Sequence, residues 1–384
     1  MNLLTNFKTL DRTSPIICFS HLRWDFVCQR PQHLMERFSR DREVIFFEEY
    51  IPTDHHLAYF EVHSFDGTAV KAVRPRIPHW WSDTEREAGL SRLLDEVLAF
   101  SRRERPILWF YTPMMYGFAR HVEAQAVVYD CMDELANFKF ASPFLKQSED
   151  DLLARADVVF TGGESLYRAK KNRHRNVHCF PSSVDVSHFG KARTCGSIPT
   201  DQAAIPSPRL GYIGVIDERT DLALIAEIAR RRPEFSFVFI GPIVKILPED
   251  LPAAANIHYL GRKEYAELPA YLSGWDAALM PFAHNEATRF ISPTKTPEYL
   301  AAGRPVVSTR IADVVASYSN LPGVFLVDGP EAFARACDAA CRLDPTDPSW
   351  RKVIDAKLSQ SSWDKTFAEM KFLVEQAASR ELHV

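Results

Sequence analysis

Short apolar runs alternate with amphipathic ones along almost the whole chain. Residues 15–20 (PIICFS), 43–50 (EVIFFEEY), 106–111 (PILWFY), 125–130 (QAVVYD), 157–162 (DVVFTG) and 176–181 (NVHCFP) have strand length and are rich in β-branched or aromatic residues. Between them, RPQHLMERFSR and SPFLKQSEDDLLARA carry helical spacing. Continuous apolar strands separated by helices predict a parallel sheet covered on both faces, and so a Rossmann-like lobe over residues 1–190. Residues 190–208, GKARTCGSIPTDQAAIPSP, follow neither period and hold several breakers, which predicts a linker at 191–208.

A second alternating series then begins: RLGYIGVID, DLALIAEIARRRP, FSFVFIGP, NIHYLG, a helix around AELPAYLS, DAALMPF, a helix in SPTKTPEYLAAG, RPVVST and GVFLVD. It predicts a second Rossmann-like lobe over 209–360, closed by the helices within FARACDAACRL and, at 361–384, WDKTFAEMKFLVEQAA. A chain of 384 residues exceeds what one core usually serves, in keeping with two lobes.

Charge changes little in this picture. With 46 basic and 50 acidic side chains the formal net charge is −4, so no global field draws the chain to nucleic acid. The seven cysteines are scattered, with no CxxC pair, which fits a reduced, cytoplasmic setting and offers no zinc framework. The first residues, MNLLTNFKTLDRTSP, read as neither leader nor anchor, and no segment is an uninterrupted membrane span, so any contact with the inner membrane surface is expected to be peripheral. A basic cluster, Arg168, Lys170, Lys171, Arg173, His174 and Arg175, together with RPRIPHWW at 74–81, offers a surface for anionic lipid or a lipid diphosphate, against the plainer alternative of a solvated face.

The chemistry concentrates in SPTKTPEYLAAGRPVVST at 292–309. A helix start exposes free N–H groups and positive partial charge, Lys295 adds a full charge, and Glu298 can accept from hydroxyls beside a diphosphate. Two registers are open: Ser292 as the cap with Pro293 first in the helix, or Thr296 as the cap with Pro297 first. Either leaves Ser292, Pro293, Thr294, Lys295 and Glu298 as candidates to hold a sugar nucleotide.

This stretch, PxKxxEYxAxGxPVV, resembles the donor-binding helix of group 1, family 4-like glycosyltransferases with the two-lobed GT-B fold, of the bacterial polysaccharide-assembly type. HYLGRKEYAELPAYLSGWDAALMPF at 258–282 resembles the strand, loop, helix and strand that precede it in that family. The resemblance implies two Rossmann-like lobes around a cleft, a last helix that crosses back to the first lobe, and hexosyl transfer from a nucleoside diphosphate sugar such as a UDP-sugar to a glycan or lipid-linked saccharide. It implies no cofactor beyond the donor, and DxxD at 130–133 lacks the DxD pattern of metal-dependent transferases, so no metal is expected. It also implies diphosphate contacts at Gly214 and Arg219, a nucleobase loop at Lys263 and Tyr265, and a donor contact from Asn285. The family's second glutamate, eight residues before Glu298, is Phe290 here, with Glu286 the nearest acid.

On the first lobe, HLRWDFVCQRPQH at 21–33 fills the first strand-to-helix connection, which in this fold faces the cleft. His21, Trp24 and Arg30 are candidates for the acceptor, with Trp24 to stack on a sugar and Arg30 to meet a phosphate. Asp130 and Asp133 end a buried strand, where a carboxylate can remove a proton from an acceptor hydroxyl. Asp133 ranks first as the base, Asp25 second, and Asp130 as an acceptor contact. Two rivals stay open: a noncatalytic nucleotide-binding scaffold and a sugar-nucleotide epimerase of the same fold.

Overall fold

A computed structural model describes residues 14–100 and 105–380. The initial segment weighed above as leader or anchor lies, up to residue 13, outside the described residues. The first lobe contains β1 (Ile16–Ser20), β2 (Val44–Glu48), β3 (Ile51–Thr53), β4 (Tyr59–Ser64), β5 (Lys71–Pro78), β6 (Ile107–Phe110), β7 (Ala126–Cys131), β8 (Val158–Thr161) and β9 (Val177–Cys179). Their order across the sheet is β3-β5-β2-β1-β6-β7-β8-β9, all parallel except β4, which runs antiparallel along β5. The second lobe contains β10 (Arg209–Ile213), β11 (Ser236–Ile240), β12 (Ile257–Gly261), β13 (Ala277–Met280), β14 (Val306–Ser308) and β15 (Val324–Leu326). These form one parallel sheet in the order β12-β11-β10-β13-β14-β15.

The central strands are mostly apolar because both faces are covered, and successive residues enter different cores. Ile17, Phe19, Leu108 and Phe110 face one core of the first lobe, while Ile16, Cys18, Ile107 and Trp109 face the other. In the second lobe Val238, Ile240, Ala278 and Met280 face one side, and Phe237, Phe239, Ala277 and Leu279 the other. The helix Trp363–Arg380 completes a first-lobe core, burying Trp363, Met370 and Val374 with Ile16, Trp109 and Phe160.

Strands β3 to β5 were not legible as such, because β4 is a largely exposed edge and β5 reads KAVRPRIP, with two prolines in place of an apolar run. RPRIPHWW therefore begins inside a strand, and its Arg74 pairs with Glu48 at 2.7 Å and its Arg76 with Glu61 at 2.8 Å. The other half of the expected basic surface is paired in part, with Lys171 and Arg175 left exposed and without a carboxylate partner among the described residues. Lys170 is buried between Glu134 and Glu149, at 2.6 and 2.7 Å, Arg173 pairs with Glu149 and Asp150, and Arg168 pairs with Glu164. Residues 191–208, expected as a linker, are packed chain: Ala192 and Ile205 enter the second lobe's core, and buried Gln202 accepts from Trp275 Nε1 at 2.8 Å.

Ligands of open parallel sheets bind beyond the carboxyl ends of the strands, where the strand order reverses. Those points fall between β1 and β6 and between β10 and β13, so the connections after β1, β10 and β11 line one cleft between the lobes.

Beside the cleft, buried Arg30 grips buried Asp130, its Nε lying 3.0 and 2.9 Å from the two carboxylate oxygens, while Nη1 donates to the Phe180 carbonyl at 2.7 Å. The pair ties the helix Arg30–Phe38 to β7 and to the chain after β9. Asp130→Asn keeps the shape but leaves a buried guanidinium without its counter-charge, so stability should fall by about 3–5 kcal/mol. The unfolding midpoint in urea checks this; an unchanged midpoint would show that the pair carries no such burden.

Candidate functional site

The cleft is built where β10 and β11 end. Gly214 has φ +152° and Gly241 φ +147°, backbone that L side chains rarely adopt. A Cβ on Gly241 would come within 1.9 Å of the Gly214 carbonyl oxygen, and one on Gly214 within 2.1 Å of Lys295 Cε. Glycine at both places lets the two strand ends and the lysine stem close up on one another. The resulting cavity, about 240 Å³, is lined on the second lobe by Gly214, Arg219, Gly241, Arg262, Lys295 and Glu298, and on the first by residues 24–29.

Lys295 is the first residue of the helix Lys295–Ala301, with Thr294 at the N-cap position but making no side-chain capping bond. Neither expected register occurs. Pro297 falls in the first turn, where an N–H would have no intrahelical partner, so the ring forfeits no bond and the helix runs unbroken to Ala301. The Lys295 ammonium lies 5.9 Å from the centre of the Tyr212 ring, and no carboxylate among the described residues pairs with it. Burial, then the Arg219 charge, holds its pKa below the usual lysine value, while Glu298 pulls the other way. Burial pushes the Glu298 carboxyl up to about 7 against the pull of Lys295.

Arg219 lines the same cavity, with Nε 3.0 Å and Nη2 2.6 Å from the Asp217 carboxylate. Burial opposes its charge, but the bonds to Asp217 outweigh that and raise its pKa. Asp217 and Gly241 went unread in the sequence. Asp217 stands two places before Arg219, and the Gly-Pro after β11 repeats the strand-end glycine after β10, so both left a signal.

Asp133 lines a smaller recess with Ser292, Pro293, Thr294, Lys295 and Arg219, so the first-lobe carboxylate and the second-lobe cations meet there. No hydrogen bond or ion pair from the described residues holds its side chain. Burial raises its pKa, with Arg219 and Lys295 partly offsetting the effect.

Of the remaining expected residues, Trp24, Asp25, Lys263 and Tyr265 also line the larger cavity, though each is engaged with a neighbour, while His21 and Asn285 line neither recess. Asp25 is half-exposed and sits 2.7 Å from Arg74. Burial alone would raise its pKa, but Arg74 carries it below the ordinary carboxylate value, which makes it a poor proton acceptor. Arg30 and Asp130 are spent on each other, so neither has a charge to offer an acceptor. Trp24 is a core residue, 5.1 Å edge-to-face from Phe46, with only a margin on the cleft. His21 is kept neutral by burial and by Lys245, its pKa lowered to about 4, and it lies outside both recesses.

In the expected nucleobase loop, Lys263 is paired with Asp201 at 2.6 Å. The Tyr265 ring is stacked on His188, with centroids 4.2 Å apart, so that face is closed to a base. Asn285 caps the turn Glu286–Thr288, accepting from Thr288 N at 3.1 Å and donating to the Glu218 carbonyl at 2.8 Å, and does not line the cavity. Phe290, where the family's second glutamate would stand, packs against a first-lobe core, and Glu286 is at the surface, 3.5 Å from Arg289. No carboxylate enters the cleft from that loop.

Known proteins carry the same architecture. Residues 207–342 match the family model described as "Glycosyl transferases group 1". The chain is 28% identical over 271 residues to TuaH of Bacillus subtilis (strain 168), named as a teichuronic acid biosynthesis glycosyltransferase, covering 65% of this chain and 67% of that one. Among solved structures, a sucrose-phosphate synthase from Thermosynechococcus elongatus superposes with a TM-score of 0.72 at 14% identity, over 96% of this chain and 100% of its own. An α,α-trehalose-phosphate synthase (UDP-forming) from Burkholderia xenovorans, in complex with glucose-6-phosphate, gives 0.66 at 13% identity, over 94% and 100%. Among the described residues, no helix is long and apolar enough to cross a membrane. Two parallel sheets around a cleft, the match across the second lobe and the relationship to TuaH lead to one conclusion: this chain is a glycosyltransferase with the GT-B fold.

Proposed function

We propose that the protein transfers a hexose-type sugar from a nucleoside diphosphate donor to a hydroxyl of a bacterial glycan or lipid-linked saccharide, at the cytoplasmic face of the membrane and without a metal. The observation that carries this reading is Lys295: an ammonium held against a strand-end glycine, without a carboxylate partner among the described residues, facing a cleft. A cation left in that state is poised for an anionic ligand, and a diphosphate supplies the missing counter-charge. The relationship to a protein named for teichuronic acid biosynthesis supports a polysaccharide acceptor. Ion pairing of Arg74, Arg76, Arg168, Lys170 and Arg173 reduces the basic surface open to anionic lipid to Lys171 and Arg175, so the acceptor carries most of any link to the bilayer. The scaffold and epimerase alternatives are not favoured.

In this scheme Lys295 and Arg219 stabilise the departing diphosphate, Glu298 accepts from the ribose or sugar hydroxyls, and Asp133 takes the proton from the acceptor hydroxyl as the new glycosidic bond forms. Asp133 suits that task because its carboxylate is unengaged and has a raised pKa, whereas Asp25 is locked to Arg74. The test is transfer and donor binding across a panel of UDP- and GDP-hexoses.

Lys295→Ala should weaken UDP or GDP binding by about 1.5–3 kcal/mol, measured by calorimetry; unchanged affinity would remove the donor site from this helix. Glu298→Gln should weaken binding of the nucleoside diphosphate while leaving pyrophosphate binding nearly unaltered, and an equal loss for both would make Glu298 structural. Asp133→Asn should slow transfer at least ~10²-fold with little change in donor affinity, while Asp25→Asn stays active. If both variants remain near full rate, neither carboxylate is the base, and a retaining reaction assisted by the donor phosphate replaces this scheme.

A further inference from the structure

Five residues beyond Asp133, the same first-lobe connection presents Phe138 to the second lobe. The Arg219 guanidinium carbon lies 5.5 Å from the centre of its ring and the Lys245 ammonium 5.0 Å. Cations over an aromatic face are attracted by the ring's quadrupole. Both are balanced by acids, Arg219 by Asp217 and Lys245 by Glu218 at 3.6 Å. Lys245 is presented from left-handed backbone, φ 62°, which non-glycine residues seldom adopt. The neighbours of Phe138 also cross the cleft: Lys139 N donates to Glu218 Oε1 at 3.2 Å, and Asn137 Nδ2 donates to the Glu286 carbonyl at 3.2 Å.

Ring and cations belong to different lobes, so these contacts exist only while the lobes are together. Arg219 is anchored at Asp217 and faces Asp133 and Lys295 across the recess. We infer that Phe138 is a positioning residue that couples lobe closure to the setting of Arg219, so that the guanidinium is fixed in the same movement that brings Asp133 to the reacting groups. The inference rests on the proposed roles of Arg219 and Asp133. A donor that binds the second lobe needs Lys295 but not the ring, whereas transfer needs both. The ring should therefore act on turnover more than on affinity.

The experiment compares Phe138→Leu, which keeps apolar volume, with Phe138→Trp, which keeps the π face. It measures UDP and GDP binding by calorimetry, and nucleoside diphosphate release from a panel of UDP- and GDP-hexoses. Phe138→Leu should lower turnover about tenfold while binding stays within about twofold, and Phe138→Trp should restore most of the rate. Lys245→Met should slow the parent but add little in the Phe138→Leu background, since both changes remove one interaction. Turnover of Phe138→Leu at the parent rate would overturn the inference, and so would equal slowing in the Leu and Trp variants, which would reduce Phe138 to packing. Lys295→Ala, run alongside, separates the failures. If it loses UDP and GDP while Phe138→Leu is unaffected, the donor site stands and the coupling falls; if it binds them normally, both fall.

Discussion

The close approach of Gly214, Gly241 and Lys295 is the constraint around which the cleft is arranged. Two parallel strands end with positive-φ glycines packed so tightly that a single methyl group at either place would collide with backbone or with the lysine stem. Because the stem fills that gap, the ammonium is delivered to the cleft in one position, and burial keeps its charge poorly compensated. The continuous apolar strands matter for the same reason. With both faces covered, β10 and β11 cannot slip or tilt, so their carboxyl ends form a rigid mount rather than a mobile loop.

Charge is divided between the lobes in a complementary way. The second lobe supplies Lys295 and Arg219, and the first supplies Asp133, with Phe138 reaching across. Other acids and bases near the cleft are consumed internally: Arg30 by Asp130, Arg74 by Glu48 and Asp25, and Lys263 by Asp201. An engaged group holds the scaffold, and an unengaged one has its interaction energy available for a ligand. That distinction separates Asp133, ranked first from the sequence, from Asp25, ranked second.

Much of the architecture was legible because a parallel sheet buried on both faces writes itself as plain apolar runs, as in IICFS and SFVFI. The exposed edge strand β4 and the proline-bearing β5 carry no such run and passed unread. At the cleft, Lys295 and Glu298, read from the helix start, and Gly214 and Arg219, implied by the family resemblance, line one cavity. Residues whose surroundings depend on a distant partner could not be read locally. Arg30 and Asp130 are 100 places apart, and nothing local announces that they neutralise each other. Tyr265 looked free to stack until His188, which lies 77 places away, took its face. Phe138 was invisible for the same reason, since an aromatic residue in a loop acquires meaning only from the cations brought over it.

The most direct measurement is a crystal structure of the protein with UDP or GDP, whichever binds. The diphosphate is expected within hydrogen-bonding distance of the Lys295 ammonium, beside Gly214 and facing Arg219, with the ribose toward Glu298. A nucleotide lodged elsewhere in the cleft, or a diphosphate that leaves Lys295 untouched, would contradict this expectation.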